Sequence, residues 1–213
     1  MILEGHIEVN GRTVRNPGLW LDPRSDRITR DGRSLKVPEK IYLALHKPRG
    51  VVTTRTDEKG RPTVYSLLPP DIRWVFPVGR LDKESSGLLL LTNDTAFGEA
   101  VTGPERKVDK KYHVVLDRLL ADADRRSMEA GMTLRDGTVL SGAVVQPMGK
   151  TPEYEITIQE GKNRQIRRMC EGLGYEVRRL HRVSIGGIVL GDLQEGKHRN
   201  LTALERRSIL NHN

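Results

Sequence analysis

The chain has 213 residues, with 36 Lys and Arg against 28 Asp and Glu, for a formal charge of +8. That balance points to an anionic partner, nucleic acid first, and the length allows one substantial core with a small appendage. The lone Cys170 excludes an intrachain disulfide, 4% aromatic residues argue against a broad stacking platform, and neither a secretion signal nor a membrane-length apolar run is visible, so a cytoplasmic protein is expected.

Residues 1–37 read as a small β unit. Ile7-Glu8-Val9 and Arg12-Thr13-Val14 flank the turn pair Asn10-Gly11, and Asp31-Gly32 marks a second hairpin. Too few apolar residues are present there for an independent core. After a boundary at Lys36 to Lys40, a strand is expected over Ile41–His46, followed by the turn Lys47-Pro48-Arg49-Gly50, which leaves Lys47 and Arg49 projecting. Val51–Thr54 reads as another strand and Arg55–Arg61 as a polar loop.

Two apolar runs, Val75–Val78 and Leu88–Leu91, read as buried strands. Between them Gly79 to Gly87 presents charged groups rigidly at the edge of the core. Arg80 and Asp82 stand out in this loop; by itself Asp82 also suits an N-cap for a short turn.

Helices are expected over Ala96–Thr102 and Asp122–Ala130, the latter ended by Gly131. Strands are expected over Tyr112–Leu116, Val139–Val145, Tyr154–Ile158, Val177–Ile185 and Ile188–Leu190. A helix from Arg164 to about Leu173 turns Ile166, Met169, Cys170 and Leu173 to the core and Arg164, Arg167 and Arg168 to the opposite arc. This makes Cys170 a small core residue, and the arginines a solvated face or a phosphate clamp. Thr202–Glu205 is a capping box that opens a last helix. The pattern is α+β, with a mixed, mainly antiparallel sheet and flanking helices.

Four strings carry a resemblance. Gly79-Arg80-Leu81-Asp82, with Ser86 to Asp94 after it, resembles the catalytic signature of pseudouridine synthases, closest to the RsuA-type branch that modifies ribosomal RNA. Lys110-Lys111-Tyr112 resembles the family's Lys-x-Tyr strand, and Glu160 to Met169 its third motif. Arg179-Leu180-His181-Arg182-Val183-Ser184-Ile185-Gly186 resembles its closing element. His46 to Gly50 also resembles the family's Lys-Pro-x-Gly element. The likeness covers about residue 40 to 205, read as the catalytic domain (40–213). Residues 1–37 resemble the second half of an S4 RNA-binding domain. Its first half, a pair of basic helices, is missing, so a truncated form or a start upstream of Met1 is expected.

The resemblance implies a pseudouridine synthase fold and isomerisation of a uridine in ribosomal RNA. The catalytic set would be Asp82, Tyr112 and Arg167. Arg167 would pair with Asp82 and hold it ionised, at a cost of about 3–5 kcal/mol if removed from a buried pair. Tyr112 would lie against the uracil and help remove the C5 proton, and Leu180 would pack on the base. Arg80, Lys47, Arg49, Lys162, Asn163, Arg164 and Arg168 would bind substrate, chiefly phosphates. The isomerisation needs no cofactor, and neither a nucleotide fingerprint nor zinc spacing is present. A monomer without membrane attachment is expected. The alternative is a non-catalytic RNA-binding factor in ribosome assembly that keeps the fold.

Overall fold

Asn10-Gly11 and Asp31-Gly32 both close two-residue hairpins, with φ of 51°, 79°, 48° and 77° in turn, the left-handed geometry that such turns require. The computed structural model describes residues 1–22, 25–35, 39–72 and 74–210. Contacts divide the chain into two units, Met1–Lys40 and Ile41–Asn213; the expected boundary at Lys36 to Lys40 falls partly outside the described residues.

The first unit is an antiparallel sheet of β1 (Ile7–Val9), β2 (Arg12–Val14), β3 (Ile28–Arg30) and β4 (Arg33–Ser34), in the order β2-β1-β3-β4. Among its described residues Val9 is the only buried apolar side chain. Polar ties take over: Asn10 Nδ2 donates to Asp26 at 2.8 Å, and the Arg27 amide donates to the Asn10 side chain at 2.9 Å.

The second unit runs β5 (Tyr42–Lys47), β6 (Phe76–Val78), β7 (Ser86–Thr92), α1 (Thr95–Thr102), β8 (Lys110–Leu116), α2 (Asp122–Ala130), β9 (Met132–Thr133), β10 (Val139–Leu140), β11 (Val144–Pro147), β12 (Glu153–Ile158), α3 (Gln165–Gly172), β13 (Val177–Ile185), β14 (Ile188–Val189), β15 (His198–Asn200) and α4 (Ala203–Leu210). The main sheet follows β11-β12-β8-β13-β7-β5-β15, with β6 on β7 and β14 on β13. Its pairs are antiparallel except β7–β13. The fold is thus α+β with a mixed, mainly antiparallel sheet.

β7 explains why the sheet needs helices on both sides. Every residue from Ser86 to Thr92 is buried, and the period-two alternation sends Leu89 and Leu91 to one core and Leu88 and Leu90 to another. The first core takes Met128 of α2 with Ile166, Met169 and Cys170 of α3; the second takes Phe97 of α1 and Ile209 of α4. Burial also pushes the Cys170 thiol up to about 12, as suits an inert core residue.

Where β7 meets β13 the two chains are unusually close. Gly87 has φ of +108°, and a Cβ there would lie 2.2 Å from the Arg182 carbonyl oxygen. Glycine is required because the neighbouring backbone occupies the side-chain position.

Two expected strands differ. Val51–Thr54 makes only an isolated bridge, Val52 to Thr63: the Val52 amide donates to Pro62 O and its carbonyl accepts from the Val64 amide, both at 3.0 Å, while the Thr53 hydroxyl donates to the Leu81 carbonyl at 2.7 Å. Val139–Val145 divides into β10 and β11. The amide of Ser141 is drawn to Glu160 at 2.7 Å and that of Ala143 to the Met128 carbonyl at 3.0 Å, which breaks the run. The capping box at Thr202 closes reciprocally, with Glu205 N to Thr202 Oγ1 at 3.2 Å and Thr202 N to Glu205 Oε2 at 2.8 Å.

Candidate active site

β6 and β7 are antiparallel neighbours, Val78 facing Leu90, so residues 79–85 form a wide loop with both ends fixed in the sheet. Its carbonyls are taken one after another. Thr53 Oγ1 donates to Leu81 O; Lys47 Nζ donates to Asp82 O at 3.0 Å and Ser85 O at 2.8 Å. The Gly50 amide donates to Lys83 O at 2.8 Å, and Arg167 Nη2 to Glu84 O at 3.2 Å. A loop with five consecutive carbonyls occupied has little freedom left, and it presents Asp82 in one place.

Lys47 was expected to project toward phosphate; the structure corrects this. Its side chain is fully buried, and its ammonium also reaches Pro48 O at 2.9 Å. Proline and glycine do turn the chain here, but the strand carries Lys47 inward beneath the loop. Burial pulls its pKa down to about 8, with the charges of Asp82 and Glu84 opposing the shift.

The pairing expected between Arg167 and Asp82 is also corrected. Arg167 is 7% exposed rather than on a solvated arc, and it donates to Val177 O at 3.0 Å and to Glu84 O. Burial lowers its pKa, followed by the nearby Arg164 charge, while Asp82 opposes through space. The ion pair of Asp82 is instead with Arg164, Nη1 to Oδ2 at 3.6 Å. Asp82 and Arg164 side chains are 30% and 40% exposed, so this is a partly solvated contact.

Arg164 directly precedes α3 in a left-handed backbone conformation, φ 51°, which a non-glycine residue adopts at some energetic cost. The surrounding segment is pinned: Gln165 Nε2 donates to Glu160 at 2.8 Å, and Gln165 Oε1 accepts from the Lys162 amide at 3.3 Å.

These walls enclose a cavity of about 540 Å³. Asp82, Arg80, Tyr112, Leu180, Lys162, Asn163 and Arg164 all line it. Tyr112 and Leu180 are 7% and 6% exposed. Lys162 is tied by Nζ to Val139 O at 2.6 Å and to Glu160 at 3.2 Å. Arg80 also borders a neighbouring cleft formed with residues 52–61. Two expected substrate contacts lie elsewhere: Arg168 is paired with Asp136 and Thr138, and Arg49 is paired with Glu84 at 3.1 Å.

Sequence reading missed Arg182 and Lys110 as cavity residues. Arg182 is 5% exposed; its Nε donates to Leu88 O at 2.7 Å and its Nη1 to the Tyr112 hydroxyl at 3.3 Å. Lys110 Nζ donates to Gln159 O at 2.9 Å, and burial followed by the Arg182 charge lowers its pKa. Strand periodicity held the signal: each lies two residues from a residue already singled out, Arg182 from Leu180 and Lys110 from Tyr112, hence on the same face.

The family model described as RNA pseudouridylate synthase matches residues 41–172. The chain belongs to this family. It is an RNA pseudouridine synthase, an isomerase. It is 36% identical over 213 residues to ribosomal large subunit pseudouridine synthase B of Bacillus subtilis (strain 168), covering 98% of this chain and 87% of the relative. An uncharacterized RNA pseudouridine synthase of Aquifex aeolicus (strain VF5) is 36% identical, with 94% and 82% covered. A crystal structure of a pseudouridylate synthase superimposes with a TM-score of 0.76 at 30% identity, over 98% of this chain and 90% of that one. Among the described residues no helix is long and apolar enough to cross a membrane.

Proposed function

We propose that this synthase converts a uridine of ribosomal RNA, in the large subunit, to pseudouridine at the Asp82 cavity. The large-subunit assignment follows the names of its relatives from Bacillus subtilis and Yersinia pestis. One observation carries the reading of the site: the Asp82 carboxylate faces a cavity bounded by Tyr112 and Leu180, on a loop whose main chain is fixed from below.

The reaction breaks the N1–C1′ bond and forms C5–C1′; N1 gains a proton and C5 loses one, so atoms and electrons balance without a co-reactant. Asp82 acts on the sugar, either by attack at C1′ or by removing the 2′ proton. Arg164 steers the carboxylate. Arg167 and Lys47 are positioning residues that act on the loop's main chain. Leu180 and Tyr112 receive the base once it has left its stack, and Arg182 fixes the Tyr112 hydroxyl. Arg80, Lys162 and Asn163 at the mouth serve the RNA backbone. The first unit, with its two short hairpins, serves as part of an S4-type RNA-binding module.

Large-subunit rRNA tritiated at uridine C5 tests the assignment. Wild-type protein should release tritium, and Asp82→Asn should lower the rate by about 10²–10⁴-fold or to background. Unchanged release by that variant would remove Asp82 from the chemistry.

A further inference from the structure

A second cavity, of about 360 Å³, lies beside the catalytic loop and is lined only by polar residues: His46, Arg49, Ser86, Arg179, His181 and Glu195. Along β13 the alternation separates it from the active site. Leu180 and Arg182 line the Asp82 cavity, while Arg179 and His181 line this one. His46, Ser86 and His181 come from β5, β7 and β13, which are consecutive in the sheet.

The site is built rather than incidental. His181, 9% exposed, has Nδ1 2.8 Å from Ser86 Oγ, and its ring meets that of His46 edge-on at 5.3 Å between centroids. His46 Nδ1 lies 2.7 Å from Leu193 O, which can only accept, so that nitrogen carries a proton; His46 Nε2 is buried without a partner. The Arg179 side chain has no hydrogen-bond or ion-pair partner among the described residues, and Arg49 bridges to Glu84 of the catalytic loop.

The surroundings favour an anion. Burial brings His181 down to about 4, and the further causes, Arg179, His46 and His113, all act in the same direction with no carboxylate opposing them. Glu195 is the one acid at the wall. The two guanidiniums of Arg49 and Arg179 and the Ser86 hydroxyl around a small polar cavity suit a tetrahedral oxyanion, which accepts from several donors at once.

We propose that this cavity binds a phosphate group, and that in the working enzyme it is a backbone phosphate of the RNA whose uridine enters the Asp82 cavity. The second clause rests on the function proposed above. Because Ser86 directly follows the catalytic loop and Arg49 holds Glu84 within it, a phosphate here fixes the strand beside the acid from the other face of β13.

The Asp82→Asn protein, in which turnover should be slow enough for bound RNA to be observed, supplies the test. Imidazole ¹H–¹⁵N resonances of His46 and His181, assigned with His46→Gln and His181→Gln, are followed during addition of a large-subunit rRNA fragment or of inorganic phosphate. The RNA should shift both at stoichiometric concentration, and inorganic phosphate only at far higher concentration. Arg179→Gln, placed in the same background, should weaken RNA binding about 5- to 10-fold and reduce the slope of log affinity against log salt by about 0.7, the loss of one single-strand phosphate contact. RNA binding with both resonances unmoved and the slope unchanged would overturn the proposal while leaving the function standing. Saturation by inorganic phosphate, with no effect of bound RNA, would make this a free-anion site and overturn the RNA assignment. If wild type neither binds the rRNA nor releases tritium from it, the proposed function fails, and the phosphate titration alone decides whether the cavity takes an anion.

Discussion

Across the Asp82 cavity, Leu81–Ser85 is gripped through its main chain by Thr53, Lys47, Gly50 and Arg167, whereas Gly161–Arg164 opposite it is exposed and tied mostly through side chains. Leu81 and Ser85 are 5% and 1% exposed. Buried cations on the first wall therefore serve the protein's own carbonyls, whereas Lys162 and Arg164 on the second make solvent-exposed ties that substrate can replace at little cost. A charged residue in a catalytic motif need not touch the substrate; its burial and its partners decide.

That contrast can be broken most severely where the fixed wall meets the sheet. Gly87→Ala forces a methyl group against the Arg182 carbonyl, backbone against backbone, and should cost about 3 kcal/mol or more in urea unfolding. A cost below about 1 kcal/mol would mean that β7 and β13 can separate easily.

Lys47→Met should cost about 2 kcal/mol at neutral pH, since one buried and two partly buried carbonyls lose their donor. Its pH dependence has a definite sign. Folding lowers the lysine from its ordinary 10.5 to about 8, so between those values the unfolded chain holds a proton that the folded chain has released. Stability of the wild type should therefore rise with pH across that window relative to Lys47→Met. Parallel curves for the two proteins would contradict a buried, desolvated ammonium.

The two arginines sharpen the comparison. Arg167→Gln should destabilise by about 2 kcal/mol, because the buried carbonyl of Val177 and the partly buried one of Glu84 lose a charged donor. Arg164→Gln should change stability by less than about 1 kcal/mol, its contact with Asp82 being partly solvated, yet lower kcat/KM about tenfold by releasing the carboxylate. The reverse pattern would restore Arg167 as the partner of Asp82.

Most of the sheet was legible because hydrophobic alternation and turn chemistry are local. Leu88–Leu91, Tyr154–Ile158 and the hairpin at Asn10-Gly11 fold as their patterns require. The cavity walls at Asp82, Tyr112 and Leu180 come from the β6–β7 loop, β8 and β13, and the resemblance in motif order located those residues. What sequence could not show is where a long cation ends. The expectation sends Lys47 outward to phosphate and Arg167 to the Asp82 carboxylate, whereas packing turns both onto main-chain carbonyls. The Arg164 contact depends on a left-handed backbone at the start of α3, which no helical pattern announces. Val51–Thr54 has strand composition, but the Val52 backbone bonds Pro62 and Val64 and the Thr53 hydroxyl bonds the catalytic loop.

The affinity of Lys47→Met for large-subunit rRNA as a function of salt, taken with its kcat, bears most directly on whether this buried cation serves the loop or the RNA. If it holds the loop, the salt slope should match wild type while kcat falls. A slope shallower by about 0.7 with kcat intact would show that Lys47 contacts phosphate, and the account of a loop held by its own carbonyls would be wrong.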